Sequence, residues 1–349
     1  MIRPNRINPT RKVDSKNPIH CQNLTASPNG RSQSQAKHRT KEDIPVFDSI
    51  FQNLFNALQW GSFYSLIALG YTLVYGVLRL INFAHGDIFM VGAYIAFFLS
   101  IFFFKGELAL SGSTTLVLVI PLTMILTSIC GVTLERIAYR PLRRKGANRL
   151  YVVITALMCG LILENGNLAF LGASRKSFPE LIDKVVYKFG AVSMTNLKIW
   201  VVLSSIIVFF ILNAFITKTK IGMAMRAISY DKFAIPLMGI PIDTIIVVTF
   251  VLGSSLAGLA GILFAMSYPV LDPFMGALIG WKAFIAAVVG GIGDIKGAFV
   301  GGFLLGIVEI MAVAIFPSTF RDLIAFSILL MILVVKPTGL FGIAKSTKI

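Results

Sequence analysis

From Phe47 to Val335 the chain is a succession of apolar runs, most of them long enough for one membrane crossing, joined by short segments that carry most of the charge. That spacing constrains the fold more than any motif does. About 20 apolar residues span a bilayer as a helix, and in lipid each backbone amide must find its partner within its own segment. Composition agrees: 56% of the 349 residues are hydrophobic, 14% are charged, and mean hydropathy is +0.80. Soluble domains are about a quarter charged. The expectation is an all-α polytopic transmembrane bundle of about eight to ten membrane segments.

The net charge of +16 does not point to nucleic acid. Its basic residues sit in the short loops and the N-terminal tail, where cytoplasmic segments face anionic membrane lipid. Cys130 and Cys159 lie inside apolar runs and Cys21 in the tail, so no disulfide framework is implied. Residues 1–46 are basic, polar and without apolar periodicity, and read as a disordered tail. A targeting segment fits the composition too. So does a gene-model artefact, since no methionine stands between Met1 and Met90 and a natural start near Val46 would need a non-AUG codon.

The run from Phe47 to Phe83 is too long for one crossing and must hold a span plus part of another, or a break. INFAHGDI, Ile81 to Ile88, is the visible break and gathers Asn82, His85 and Asp87 between apolar flanks. Polar groups at membrane depth are costly and point to function; an unwound backbone there could meet a zwitterionic solute. The bland reading has the same side chains satisfying the broken backbone, with Asp87 capping the next helix. Glu309, alone in an apolar run, is a further candidate for the solute path, whereas Glu164 and Asp272 are expected nearer the exterior face.

Orientation follows from ERIAYRPLRRKGANR, the densest basic loop between spans, which belongs in the cytoplasm. Counting crossings from it puts residues 172–198 and 268–274 outside. The segment 217–243 and the C-terminal tail 343–349 fall inside, and 47–342 is one transmembrane domain. The side of the N-terminal tail depends on how many crossings residues 47–104 make. Pro121 falls within a span, a tolerable kink. The triplet GDI follows a break at both Gly86 and Gly293, a faint echo of a two-fold repeat.

Segment 217–243 is longer than a linker needs to be. Its middle reads as a short helix after Gly222, and Asp231 is placed to cap a second turn that runs through Pro236 to Gly239. Arg226 is flanked by Met223, Met225 and Ile228, apolar residues that a partner would have to cover. A folded docking element and a basic loop resting on lipid are both open readings.

No enzymatic chemistry is expected. The P-loop needs a Gly-Lys pair and the chain has none; GGIGDIKGAFVGG is better read as close helix packing. Two of the three histidines lie in the tail, so no metal site or cofactor is foreseen.

GMAMRAISYDKFAIPLMGI resembles the coupling loop of ABC importer permeases of the branched-chain amino acid class, LivH type. The matching positions are Gly222, Arg226, Ala227, Asp231, Ala234, Leu237, Gly239 and Ile240. Gly61 to Tyr94, with its NFAHG core, ERIAYRPLR, KAFIAAVVGGIGDIKGAFVGG and KPTGLFG resemble further blocks in the same order, covering residues 51–342. Departures are small: Asp87 stands where Glu is also common, and Lys336 where Arg is frequent. The resemblance implies an inner-membrane permease subunit that docks cytoplasmic ATPases through this loop. Its partners would be a second homologous permease, two ATPase subunits and an extracytoplasmic solute-binding protein. Relatives also move urea and short amides, so the solute stays open. Outside the family, a self-sufficient secondary transporter or channel is the competing reading.

Overall fold

The computed structural model describes residues 46–106, 109–189, 192–230 and 234–342. The tail 1–45, Asp231 and residues 343–349 lie outside them. Twelve α-helices are described: α1 (Val46–Leu78), α2 (His85–Ser100), α3 (Gly112–Leu134), α4 (Arg140–Arg144), α5 (Arg149–Leu171), α6 (Asn196–Lys218), α7 (Lys220–Tyr230), α8 (Ala234–Leu237), α9 (Ile242–Ser267), α10 (Met275–Gly291), α11 (Ile295–Ile315) and α12 (Arg321–Val335). Eight helical segments are long and apolar enough to cross a membrane, and α10, at 17 residues, is a shorter ninth. The fold is all-α and polytopic, as the spacing of apolar runs predicted.

α1 is the axis of the bundle. Phe63, Tyr64, Leu66, Ile67, Ala68 and Leu69 are all fully buried, so it shows no amphipathic period: it is covered on every side. α11, α9, α10 and α6 surround it, and α9 also packs on α2 and α3. Small residues permit these close crossings. A Cβ on Gly302 or Gly306 of α11 would run into the α1 backbone at Ser65 and Gly61.

The connections sort onto two sides. On one, Gln52 of α1 meets Ser193, Lys198 bonds Asn56, and β1 (Lys176–Ser177) pairs antiparallel with β4 (Val270–Leu271). The hairpin of β2 (Val186–Phe189) and β3 (Val192–Thr195) lies there too. On the other, Arg79 reaches the Ser229 carbonyl, and Leu340 and Phe341 donate to Val289 and Gly290 at the end of α10. The second side carries the arginine cluster of α4, so it is the cytoplasmic one. α1 therefore makes a single crossing whose N-terminal end faces outward, which the sequence had left undecided.

Two sequence expectations change. The stretch 47–83 holds one 33-residue helix that stops at Leu78; the break is Arg79–Ala84, and His85 to Ile88 are already helical. Arg79 makes the turn with φ +57°, a left-handed conformation that costs a non-glycine residue about 1–2 kcal/mol. Nor is ERIAYRPLRR a loop. It prolongs α3 through a wide turn at Glu135–Tyr139 into α4, whose first turn accommodates Pro141, and stops before Gly146.

Candidate functional site

The break returns the chain into the bundle. The His85 imidazole packs on Gly70, eight residues before the end of α1, which sets it about 12 Å deeper than Leu78 at 1.5 Å per residue. α2 thus begins well inside the membrane-spanning layer. α10 meets it there: a Cβ on Gly86 would stand 2.5 Å from the Gly276 carbonyl oxygen and 2.7 Å from the Gly280 Cα. The N-terminal turns of two helices come together beside Asp87.

Asp87 is buried in the first turn of α2. Its Oδ1 has no hydrogen-bond partner among the described residues, and no cation pairs with it there. Oδ2 lies over Gly160 of α5, where an added Cβ would stand 2.5 Å away. The expected capping bond is absent, for the helix starts at Ala84 without a side-chain acceptor. The positive end of the helix dipole partly offsets such a charge.

A cavity of about 330 Å³ opens on this carboxylate. Glu164 of α5 stands on the same cavity, and its charge acts on Asp87. Leu157, Leu161, Phe83 and Trp281 give the apolar wall, and Tyr71, whose hydroxyl reaches the Gly86 backbone, lies at the floor. Glu164 stands in the outer half of α5, as expected, and still lines the cavity; an acid within an apolar run was the signal for that. Asp272 does lie on the exterior side, held by Arg175 at 3.0 Å.

Of the four residues expected on a solute path, only Asp87 lines this cavity. Asn82 is buried and accepts from the Tyr139 hydroxyl at 2.6 Å. His85 is fully buried, edge-on to Tyr71 with centroids 4.8 Å apart, and the backbone of Ile67 lies within its reach. Glu309 belongs to a separate cluster. It accepts from Tyr64 and Lys282 at 2.6 Å each and pairs with Arg321 at 2.6 Å. Lys282 also bonds Asp322, and Arg321 lies 4.9 Å over the Trp60 ring.

At the cytoplasmic end, Thr219 caps α7: its Oγ1 accepts from the Gly222 N–H at 3.0 Å, so Gly222 lies inside the helix rather than before it. A side chain there would collide with the backbone of Ile216, so glycine lets α7 fold back on α6. Met225 and Ile228 are buried beneath α7, not exposed as the sequence suggested. Ala227 is half-buried. The outer face carries Met223, Arg226 and Tyr230, continued by Leu237 and Met238 after α8 opens at Ala234. Arg226 reaches the Thr217 carbonyl at 3.4 Å; a pairing with Asp231 falls outside the described residues. Gly239 turns with φ +75°, exposed and free of neighbours.

Beside this element Asp243, in the first turn of α9, accepts from three arginines: Arg140 at 2.8 Å, Arg143 at 2.5 Å and Arg144 at 3.1 Å. Arg143 also holds the buried Glu135 at 3.1 Å. The clamp was not foreseen, since its halves lie about 100 residues apart.

Nine membrane segments around a re-entrant break define a multi-pass membrane protein with a polar site inside the bundle. The chain belongs to the family described as branched-chain amino acid transport system / permease component, which matches residues 53–335. It is 39% identical over 308 residues to the high-affinity branched-chain amino acid transport system permease protein BraD of Pseudomonas aeruginosa, covering 86% of this chain and 98% of that one. To LivH of Escherichia coli K12 it is 37% identical over 302 residues, covering 83% and 95%. To a probable branched-chain amino acid transport permease protein, LivH of Methanocaldococcus jannaschii, it is 28% identical over 301 residues, covering 82% and 91%. No solved structure matches.

Proposed function

We propose that this chain is a permease subunit of an ABC importer for branched-chain amino acids, in the bacterial inner membrane. It pairs with a second homologous permease, two ATPase subunits and an extracytoplasmic solute-binding protein. The family and the names of its relatives support the class. The observation that carries the solute is the cavity at Asp87. A zwitterionic aliphatic amino acid needs an acceptor for its ammonium, donors for its carboxylate and an apolar wall. Asp87 and Glu164 offer the first, and the helix ends of α2 and α10 the second, as half-helices do in other transporters. Leu157, Leu161 and Trp281 offer the third. Asn82 and His85 hold the break in shape behind it. Glu309 fastens α1, α10 and α12 to α11.

The exposed face of α7 and α8 is the ATPase docking element. Methionines and a tyrosine around one arginine suit an adaptable groove. ATP hydrolysis in the partners moves this element, and rocking of the helices alternates access to the cavity. A urea or short-amide solute would make no use of the two carboxylates together with the apolar wall. A self-sufficient transporter would have no need of the exposed docking face.

The test is uptake of labelled leucine by the assembled transporter. Asp87→Asn should lower it about tenfold or more while the subunit still co-purifies with its ATPases. Competition by urea but not by isoleucine or valine would refute the solute. Wild-type uptake by Asp87→Asn would refute the site.

A further inference from the structure

A groove of about 600 Å³ lies on the flank of the bundle between α3 and α9, away from the cavity at Asp87. It runs from Pro121 to Arg136, about 22 Å along α3 and its extension at 1.5 Å per residue. That is the scale of one leaflet, about 15 Å of hydrocarbon with its headgroup layer. Its sides are Ile125, Ile129 and Val132 facing Val251, and Ile125 and Ile129 are each 56% exposed. The hydroxyls along it are already committed. Ser128 donates to Met124 or Val251, Thr133 to Ile129 and Ser255 to Leu252. Such a wall asks for hydrocarbon.

The cytoplasmic end of the groove differs in kind. Arg136 stands there exposed, and among the described residues no acid pairs with it. The acids at hand are taken: Glu135 holds Arg143, and Asp243 holds Arg140, Arg143 and Arg144. Lys145 and Arg149 follow on the same side, also exposed. A free guanidinium at headgroup level, closing a chain-shaped apolar channel, complements one molecule that is apolar along its length and anionic at its end. We propose that this groove binds one anionic phospholipid, with an acyl chain lying along α3 from Pro121 and the phosphate on Arg136. A helix of another subunit laid in the same place would cover Arg136 with apolar surface and bring it no counter-charge, unless it carried an acid at that level.

The experiment uses the full chain in its assembled complex, reconstituted in vesicles of equal parts phosphatidylglycerol and phosphatidylcholine and read by native mass spectrometry of the lipid retained. The wild type should hold one phosphatidylglycerol in preference to phosphatidylcholine by about fivefold, the worth of one basic residue near an anionic surface. Arg136→Glu should abolish the preference and Arg136→Lys keep most of it. Ser255→Trp, which fills the groove and spares the charge, should lose the retained lipid of both kinds. Equal retention of the two lipids by the wild type overturns the proposal. So does a preference that survives Arg136→Glu or Ser255→Trp in whichever of these variants assembles. Cross-linking of Ile129→Cys to another subunit would overturn it as well, by naming a protein as the occupant.

Discussion

Glu309 and Asp87 both lie buried within the bundle, and their surroundings are opposite. Glu309 takes Tyr64, Lys282 and Arg321, each at 2.6 Å, and Lys282 passes the charge on to Asp322. Two cations and two anions close on one another, with an aromatic ring under Arg321. Asp87 has an unpartnered Oδ1, a glycine on either side and a cavity in front. A charge fully met by its own chain has nothing left to offer a ligand, and its loss strands its partners. A charge met only by helix ends is a cost of folding that a bound cation would relieve. The sequence treats the two alike, as lone acids in apolar runs. Their packing ties one into the frame and leaves the other open to the cavity.

Substitution breaks this comparison if it is wrong, and the cost to the folded subunit should fall from one case to the next. Glu309→Ala leaves the buried Lys282 with Asp322 alone and the half-buried Arg321 without its acceptor, and should cost about 3–5 kcal/mol, the range for breaking a buried pair from one side. Melting of the purified subunit in detergent, or its level in the membrane, measures this. A variant as stable as the wild type would mean that the cluster holds nothing together. Gly70→Val comes next. The added side chain meets the His85 ring and should cost about 1–3 kcal/mol by overpacking, with transport lost because the break shifts. His85→Ala in the same chain makes room and should recover stability but not uptake; no recovery would show that another contact sets the cost. Asp87→Asn removes a charge without a partner, so stability should hold or rise while uptake falls. A fall in both would place Asp87 in the frame beside Glu309.

What could be read in advance follows from range along the chain. The break was legible because Asn82, His85 and Asp87 interrupt one apolar run within a few residues. The cluster around Glu309 was not, since Tyr64, Lys282 and Arg321 come from three other helices and no local pattern joins them. The same limit hid the Asp243 clamp. In α7 the sequence marked a short helix but not which of its apolar residues has a cover: α7 packs on α6, α1 and α9, Met225 and Ile228 are buried, and Met223 stays outside. The span of α3 was underestimated for a different reason. Charge ended the apolar signal at Glu135, but helix propensity did not end there, and Arg140 to Arg144 continue the helix.

The smallest effect on the subunit itself should come from Arg226, and there the contrast between frame and path reaches the cytoplasmic surface. Its side chain is exposed on α7, and its bond to the Thr217 carbonyl is long at 3.4 Å. Surface substitutions of that kind change stability by about 0.5 kcal/mol or less. Arg226→Glu should therefore melt like the wild type and reach the membrane at the same level. Its effect belongs to the complex. Arg226 is a cation among the exposed Met223, Tyr230 and Leu237, and reversing it sets like charge against whatever acid the ATPase presents. Bound ATPase and leucine uptake should both be lost. Gly239→Val separates shape from charge. At φ +75° a β-branched residue is strained, so the turn back to α9 shifts while Arg226 stays in place. If the shape of the element matters as well as its charge, this variant also releases the ATPase. Arg226→Glu that keeps its ATPase and its uptake would leave α7 a helix resting on lipid headgroups, and the docking reading would fall with it.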